Sequence, residues 1–484
     1  MSFGKENLWI IDDVIKATGG QVVVNSGEKS RFKGISTDSR KIEPGNIFVA
    51  LVGERFDGHD FLLDAVRAGA ECLIIDKPLE SFNAGKALLE MTSARGTLPA
   101  VVRVGNTLTA LGDLAKYRRS FFKGPVVGVT GSNGKTSTKE MIAQVLDGSF
   151  HVLKNPMNWN NNVGLPLSLL QLEPYHSAVV LEMGINHPGE MDQLVAIASP
   201  TVGVITNIQK AHLEGLESEE VICREKTKLW HALPQDTGCA IVNRDDPWLY
   251  KSSERLQRIA KIFFGIKGEA DVTVEGEIRC SREGTTFNVR CGRNRATVSL
   301  SVLGEHFALN ALSALAVGVH LGVPLDVAAH RLSSWKPVSH RMECVPLSDG
   351  TVIVDDTYNA NPGSMLRAIE TVAGLAYREN RPFIAVLGDM KELGDASEEL
   401  HRMIGRELAR RNVSGLFTLG TLAGFIADEG RKGGIPVVIE AHDHSTLIEA
   451  IIEHWLPGAW LLVKGSRSMR MEQVVEGLVE DART

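Results

Sequence analysis

Apolar residues recur along this chain in two rhythms. Short apolar runs bounded by glycine, proline, asparagine or charged residues read as buried strands at 47–51, 71–75, 125–127, 178–181, 202–206, 240–242, 352–354, 383–387 and 461–463. Between them, apolar positions three and four apart predict helices. One covers 61–68 and is stopped by Gly69. Another covers 139–146, where Met141, Ile142, Val145 and Leu146 share a face. A third, rich in Ala and Leu, starts at 304–310 and runs to Leu321. Asn361 is a natural N-cap with Pro362 at the first helical position. Strands alternating with helices predict an α/β chain of mostly parallel sheets. From 271 to 302 the pattern changes to strict polar–apolar alternation, with turns at Glu283-Gly284 and Gly292, which predicts antiparallel hairpins.

Length turns this pattern into an organisation. A chain of 484 residues exceeds what one core supports. The pattern divides it into a small α/β domain over 1–122, a central domain over 123–337 and a Rossmann-like α/β domain over 338–484. Pro324 and Pro337 mark the second boundary. The net charge of −7 is spread evenly, which argues against nucleic acid and against a basic membrane patch as partners. No apolar run reaches the roughly 18 residues of a membrane span, and residues 1–9 lack the apolar stretch of a signal peptide. The six cysteines show no C-x-x-C spacing and read as free thiols in a reducing cytoplasm.

The chemistry centres on residues 128–138, Gly-Val-Thr-Gly-Ser-Asn-Gly-Lys-Thr-Ser-Thr, between a predicted strand and a predicted helix. That context suits a phosphate loop. Glycines let N–H groups converge on an anion, and the helix N-terminus adds its positive dipole end. Lys135 would reach the β- and γ-phosphates and Thr136 would hold Mg²⁺. The usual spacing asks for a glycine where Val129 stands, so the loop is a variant, predicting a central domain of the P-loop ATPase kind.

Polar residues gather after other strands as well, where open α/β sheets place ligands. Glu182 ends the strand at 178–181 and is placed to bind Mg²⁺ as a Walker B acid does. Five asparagines lie within 155–162, which suits a loop lining a polar cleft. Thr37-Asp38-Ser39-Arg40 reads either as a hydroxyl-rich site for a sugar nucleotide or as a capped turn with a surface ion pair. His212 is either a ligand or a structural histidine, and the helix bearing Lys226 either carries chemistry or presents a solvated face. The 355–364 segment, Asp-Asp-Thr-Tyr-Asn-Ala-Asn-Pro-Gly-Ser, joins a third strand to its helix.

Laid out in this way, the chain resembles the Mur ligases of bacterial cell-wall synthesis over essentially its full length. Thr130-Gly131-Ser132-Asn133-Gly134-Lys135-Thr136 is similar to that family's own phosphate loop, which accounts for the unusual spacing. The resemblance implies ATP bound by Gly131, Ser132, Asn133, Gly134, Lys135, Thr136 and Ser137. It also implies Asn310 on adenine, Arg341 on the phosphates and Asp356 on ribose. Two Mg²⁺ ions are implied at Thr136, Glu182, His212 and Lys226, the last as a carbamate. Lys135, His212, Lys226 and Arg341 form the implied catalytic set. Thr37, Ser39 and Arg40 resemble the family's uridine-nucleotide motif, and Asn158, Asn160 and Asn161 its substrate loop. The 355–362 motif resembles the branch that joins D-alanyl-D-alanine to UDP-N-acetylmuramoyl-tripeptide through an acyl phosphate, with Tyr358, Asn359 and Asn361 as substrate contacts. The alternative is the preceding ligase, which adds the third amino acid. Its usual Asp-Tyr-Ala-His-Thr-Pro and Asp-Asn-Pro-Arg motifs are absent here. Folylpolyglutamate synthase shares the core but not the Thr-Asp-Ser-Arg domain, and a nucleotide-dependent switch would need no acceptor. The family usually has His-Asn where this chain has His306-Phe307, so one adenine-side asparagine is missing. The resemblance implies a cytoplasmic monomer acting on small molecules.

Overall fold

The computed structural model describes residues 8–24, 31–95, 99–210 and 213–482, with the backbone alone at 91–95 and 213. Three large sheets follow one another along the chain. The first orders its strands Gln21–Val24, Ala100–Arg103, Cys72–Ile75, Asn46–Val49 and Gly34–Ser36. All are parallel except the first, which pairs antiparallel. A two-stranded ribbon, Trp9–Ile10 with Arg31–Phe32, stands apart from it.

The central sheet has nine strands. Seven run parallel in the order Val152–Lys154, Ala178–Glu182, Val126–Thr130, Val202–Ile205, Cys239–Asn243, Ala260–Gly265 and Val272–Ser281. Two antiparallel strands, Gly284–Cys291 and Asn294–Leu300, extend its edge. The alternation at 271–302 therefore does mark hairpins. It did not reveal that they continue the main sheet, through the pairs Phe264–Val272 and Gly265–Thr273. The third sheet orders Glu343–Pro346, Val352–Asp355, Trp460–Lys464, Phe383–Gly388, Gly415–Leu419 and Val438–Ala441, parallel after the antiparallel first pair.

The parallel strands are buried on both faces, which is why they read as continuous apolar runs. Each fully buried Val, Ile or Leu among them contributes about 1.5–3 kcal/mol. The helices Lys135–Leu146 and Glu305–His320 share one core with these strands. The first helix begins at Lys135, four residues before the predicted start, because Gly134 in the left-handed region (φ 78°) turns the chain directly into it. The helix Thr107–Ser120 ties the first unit to the central one. Arg119, buried, donates to the carbonyls of Ala198 and Ser199 at 2.8 Å and of Phe122 at 2.9 Å. Leu167 and Leu170, just beyond the asparagine loop, pack on the first unit's core. Among the described residues no helix is long and apolar enough to cross a membrane.

Candidate active site

The carboxyl ends of four adjacent central strands meet at residues 130–134, Glu182, Thr206–Asn207 and Asn243. The turn that follows Thr130 is built from this neighbourhood. Gly131 lies so close to Thr206 that a Cβ would fall 1.8 Å from its Oγ1, and a Cβ on Gly134 would fall 2.6 Å from Asn310 Oδ1. Both glycines are required by close approach. Ser132 N and Asn133 N donate to the backbone and side-chain oxygens of Asn207 at 2.9 and 3.0 Å. Thr206 Oγ1 and Asn207 Nδ2 donate to Asn133 O, and Ser132 Oγ exchanges hydrogen bonds with the backbone of Gln209. The loop amides of Ser132 and Asn133 are thus spent on holding its shape. The first turn of the helix, with Lys135, Thr136 and Ser137, is left to face an anion, as helix N-termini do.

Lys135 Nζ donates to the Gly131 and Ser132 carbonyls at 2.9 and 3.3 Å, arched over the loop where a phosphate would lie. Burial draws its ammonium below the ordinary lysine range. Arg341 adds to that shift, while Glu182 and Glu392 oppose it, so all three charges act on Lys135. Glu182 is 2 % exposed. Its Oε1 accepts from Asn160 Nδ2 at 2.8 Å, and its Oε2 is buried without a partner. Lys226 is 1 % exposed and its Nζ is also without a partner. Burial pushes Lys226 well below the ordinary lysine value, Lys135 lowers it further and Glu182 acts against this. An unpaired buried carboxylate oxygen costs several kcal/mol unless something completes it. A divalent cation would do so, and a carbamate on Lys226 would turn the second orphan into another oxygen ligand. Among the described residues no three His, Cys, Asp or Glu side chains gather at a point. A cation here would therefore lean on Glu182, Thr136 and its substrate's phosphates. His212 lies outside the described residues.

The asparagine loop divides its labour. Asn160 reaches Glu182, and Asn161 Oδ1 accepts from Val163 N and Gly164 N to open the helix Gly164–Leu169. Asn158 contributes its carbonyl, which accepts from Asn160 N at 2.7 Å. Two residues not singled out from sequence do more. Asn155 binds both backbone groups of Glu182, at 2.9 and 3.0 Å, and the Trp159 carbonyl at 2.8 Å. Lys139, fully buried, donates to the Asn155 and Met157 carbonyls and pairs with Glu140. The only hint of Lys139 was a cation among the apolar positions of a helix.

The third unit meets this centre through its strand ends. Arg341 Nη2 donates to Thr136 Oγ1 at 3.2 Å, and its guanidinium carbon lies 4.0 Å from the centre of the Tyr358 ring. Asn361 caps the helix Pro362–Arg378 and also donates to Asn133 Oδ1 at 2.7 Å, next to the Asn133–Gln209 bond. Asp356 accepts from Lys464 Nζ at 2.5 Å and from Met342 N at 3.2 Å, while burial pushes its carboxyl upward against the pull of Lys464. Asn359 O takes a second bond from Lys464 and Asn359 Oδ1 one from Arg467 N. Lys464, 2 % exposed, is another residue to which sequence reading gave no role.

Beside Asn310 opens a cleft of about 2180 Å³, lined among others by Asn207, Gln209, His306, Asn310 and Arg367. Its inner end suits a base and ribose. Burial, with Arg367 and Lys464 nearby, pushes His306 down to about 3, so it is neutral at working pH. Phe307 points into the core at 3 % exposure, its ring 6.3 Å from Trp335. The missing asparagine is thus a core residue here.

Thr37, Ser39 and Arg40 lie at the carboxyl edge of the first sheet. Asp38 caps a short 3₁₀ turn over Ser39–Lys41 and grips Arg40 with two bonds of 2.9 Å. No hydrogen bond or ion pair among the described residues joins this group to the phosphate loop. It stands apart as a separate station.

Family models match each unit in turn. The "Mur ligase family, catalytic domain" covers 31–119, the "Mur ligase middle domain" covers 129–318 and the "Mur ligase, glutamate ligase domain" covers 340–467. A Bacillus subtilis protein named UDP-N-acetylmuramoyl-tripeptide–D-alanyl-D-alanine ligase is 34 % identical over 97 % of this chain and 98 % of its own. A crystal structure of MurF from Acinetobacter baumannii superimposes with a TM-score of 0.87 at 31 % identity, covering 98 % of this chain and 99 % of that one. MurF ligase from Thermotoga maritima, in complex with ADP, gives 0.81 at 31 %, covering 93 % and 98 %. A phosphate loop, a half-paired strand-end carboxylate and a third unit that meets the loop therefore sit in a chain alike from end to end, and the chain belongs to the Mur ligase family.

Proposed function

We propose that this chain joins D-alanyl-D-alanine to UDP-N-acetylmuramoyl-tripeptide at the expense of ATP. The observation that carries the reading is the convergence on Lys135 of an orphaned carboxylate oxygen, an orphaned amine and an arginine from the third unit. The full-length relatives carrying that activity in their names support the choice of substrates.

The chemistry requires two anions to meet. A carboxylate oxygen of the tripeptide attacks the γ-phosphorus of ATP, the bond to the β-phosphate oxygen breaks, and ADP leaves. The dipeptide's free amine then attacks the acyl-phosphate carbonyl. Inorganic phosphate leaves, the nitrogen loses its proton and the amide is formed. Lys135 and Arg341 hold the phosphates, and the helix N-terminus at 135–137 adds its dipole. Glu182, Thr136 and a carbamylated Lys226 would hold Mg²⁺, with His212 completing the set. Mg²⁺ supplies neutralisation of charge on the transferring phosphoryl group. The carbamate forms when the neutral amine of Lys226 adds to CO₂ and releases a proton. Burial favours that neutral amine. Asn158, Asn160 and Asn161 orient the sugar-linked peptide, and Thr37, Ser39 and Arg40 the uridine nucleotide. Asn310 faces adenine, and Asp356 faces ribose with the oxygen lone pairs that Lys464 leaves. Asn359 and Asn361 border the dipeptide's approach. The protein works as a cytoplasmic monomer, where ATP and nucleotide-linked precursors are found.

A phosphate-release assay over a panel of acceptors tests this. Release should require both D-alanyl-D-alanine and the UDP-linked tripeptide. Release driven by meso-diaminopimelate or lysine with the UDP-linked dipeptide would assign the chain to the preceding step instead.

A further inference from the structure

Arg341 is presented by an unusual piece of backbone. Both its neighbours, His340 (φ 64°) and Met342 (φ 52°), occupy the left-handed region that residues with a Cβ rarely adopt. Such a turn persists only where its surroundings over-determine it, and here the segment 355–358 does so residue by residue. Asp355 Oδ2 takes His340 Nδ1 at 2.8 Å, Asp356 Oδ1 takes Met342 N at 3.2 Å, and Tyr358 N donates to His340 O at 3.1 Å. The guanidinium carbon of Arg341 then lies over the Tyr358 ring, 4.0 Å from its centre. With the ring against it, Arg341 offers the N–H groups at its edge. Nη2 on that edge meets Thr136 Oγ1, and the buried Nε has no partner.

We propose that Tyr358 is a positioning residue that aims the edge of Arg341 at the nucleotide phosphates, and that it is not a contact for the incoming dipeptide. The assignment rests on the ligase reading in one respect, that Arg341 meets the phosphates. A free arginine side chain samples many rotamers. A stacked one reaches the phosphates already oriented, so less is lost on binding. The orphaned Nε is then a donor waiting for a phosphate oxygen.

A double-mutant cycle on the full chain separates the possibilities. Binding of the ATP analogue AMP-PNP with Mg²⁺ is measured by calorimetry without other substrates, and kcat and the KM for D-alanyl-D-alanine by phosphate release. Tyr358→Leu should weaken AMP-PNP about tenfold, the scale of a desolvated cation–π contact, and lower kcat, with the KM for the dipeptide within about twofold of wild type. Tyr358→Phe should restore most of the loss. With Arg341→Ala already present, Tyr358→Leu should add less than about twofold, since nothing remains to aim. Tyr358→Met fills the space without an aromatic face and replaces the leucine variant if circular dichroism shows that variant misfolded. A full tenfold effect of Tyr358→Leu in the Arg341→Ala background would overturn the proposal. So would a raised dipeptide KM with unchanged AMP-PNP affinity. Failure of the wild type to release phosphate with D-alanyl-D-alanine would sink the ligase reading, while the AMP-PNP cycle would still decide the role of Tyr358.

Discussion

Lys135 and Lys226 are two lysines within one electrostatic neighbourhood, and their surroundings give them opposite fates. Lys135 rests on two carbonyls and keeps one donor for an anion. Lys226 has no acceptor within reach and lies wholly buried. Lys135→Ala should therefore lower phosphate release on the order of a thousandfold, as loss of a transition-state charge does, with an unchanged far-ultraviolet spectrum. Near-normal turnover would remove the phosphate-loop assignment. For Lys226→Ala the expected loss is one that a short carboxylic acid repairs, because a free carboxylate can sit where the carbamate would. Full activity of the variant without added acid would rule the carbamate out. The lysine, the threonine and the strand-end glutamate were legible in the sequence because each follows a strand at fixed spacing. The stacking of Tyr358 on Arg341 was not, since it joins two turns that only the tertiary fold brings together.

The element that matters most beyond the phosphate turn is the asparagine loop, and its anchor is Asn155. One side chain satisfies both backbone groups of Glu182 and the carbonyl of Trp159. Asn155→Ala should leave those groups buried and unpaired, at a cost of about 1–3 kcal/mol, seen as a lower urea midpoint and as a rise in the KM for the UDP-linked tripeptide. An unchanged urea midpoint would show that water replaces the amide at no cost. The sequence marks the loop by its composition, and the resemblance picks out Asn158, Asn160 and Asn161 but not Asn155. They differ because the loop folds back on a strand some 27 positions ahead, a contact that local pattern does not encode. Lys139 was hidden for the same reason: its acceptors are carbonyls of that loop. Strand positions transferred well because a doubly buried strand is a continuous apolar run. Alternation marks the edge hairpins, but it reports one wet face and is silent on which sheet the strand joins.

At the scale of the whole molecule, the third unit meets the central one through few hydrogen bonds among the described residues, beside a stretch of shared apolar core. Asn361 meets Asn133, Arg341 meets Thr136, and Glu214 N meets the Glu392 carbonyl at 3.3 Å. An exposed pair, Arg282 with Glu379, closes the far rim. Contacts of this kind open at low cost. On adding AMP-PNP and the UDP-linked tripeptide, amide exchange over 355–364 and 389–394 should slow, while that over 117–122 stays slow throughout. Equal change in both regions would mean that the units move together.

The contrast lies with Arg119. Swinging the first unit away at that helix would strip two carbonyls, those of Ala198 and Ser199, of their buried donor. The first unit and the phosphate turn are thus tied as one bench, and the third unit is the jaw expected to close. A small molecule wedged between bench and jaw would arrest the catalyst without resembling any of its three substrates.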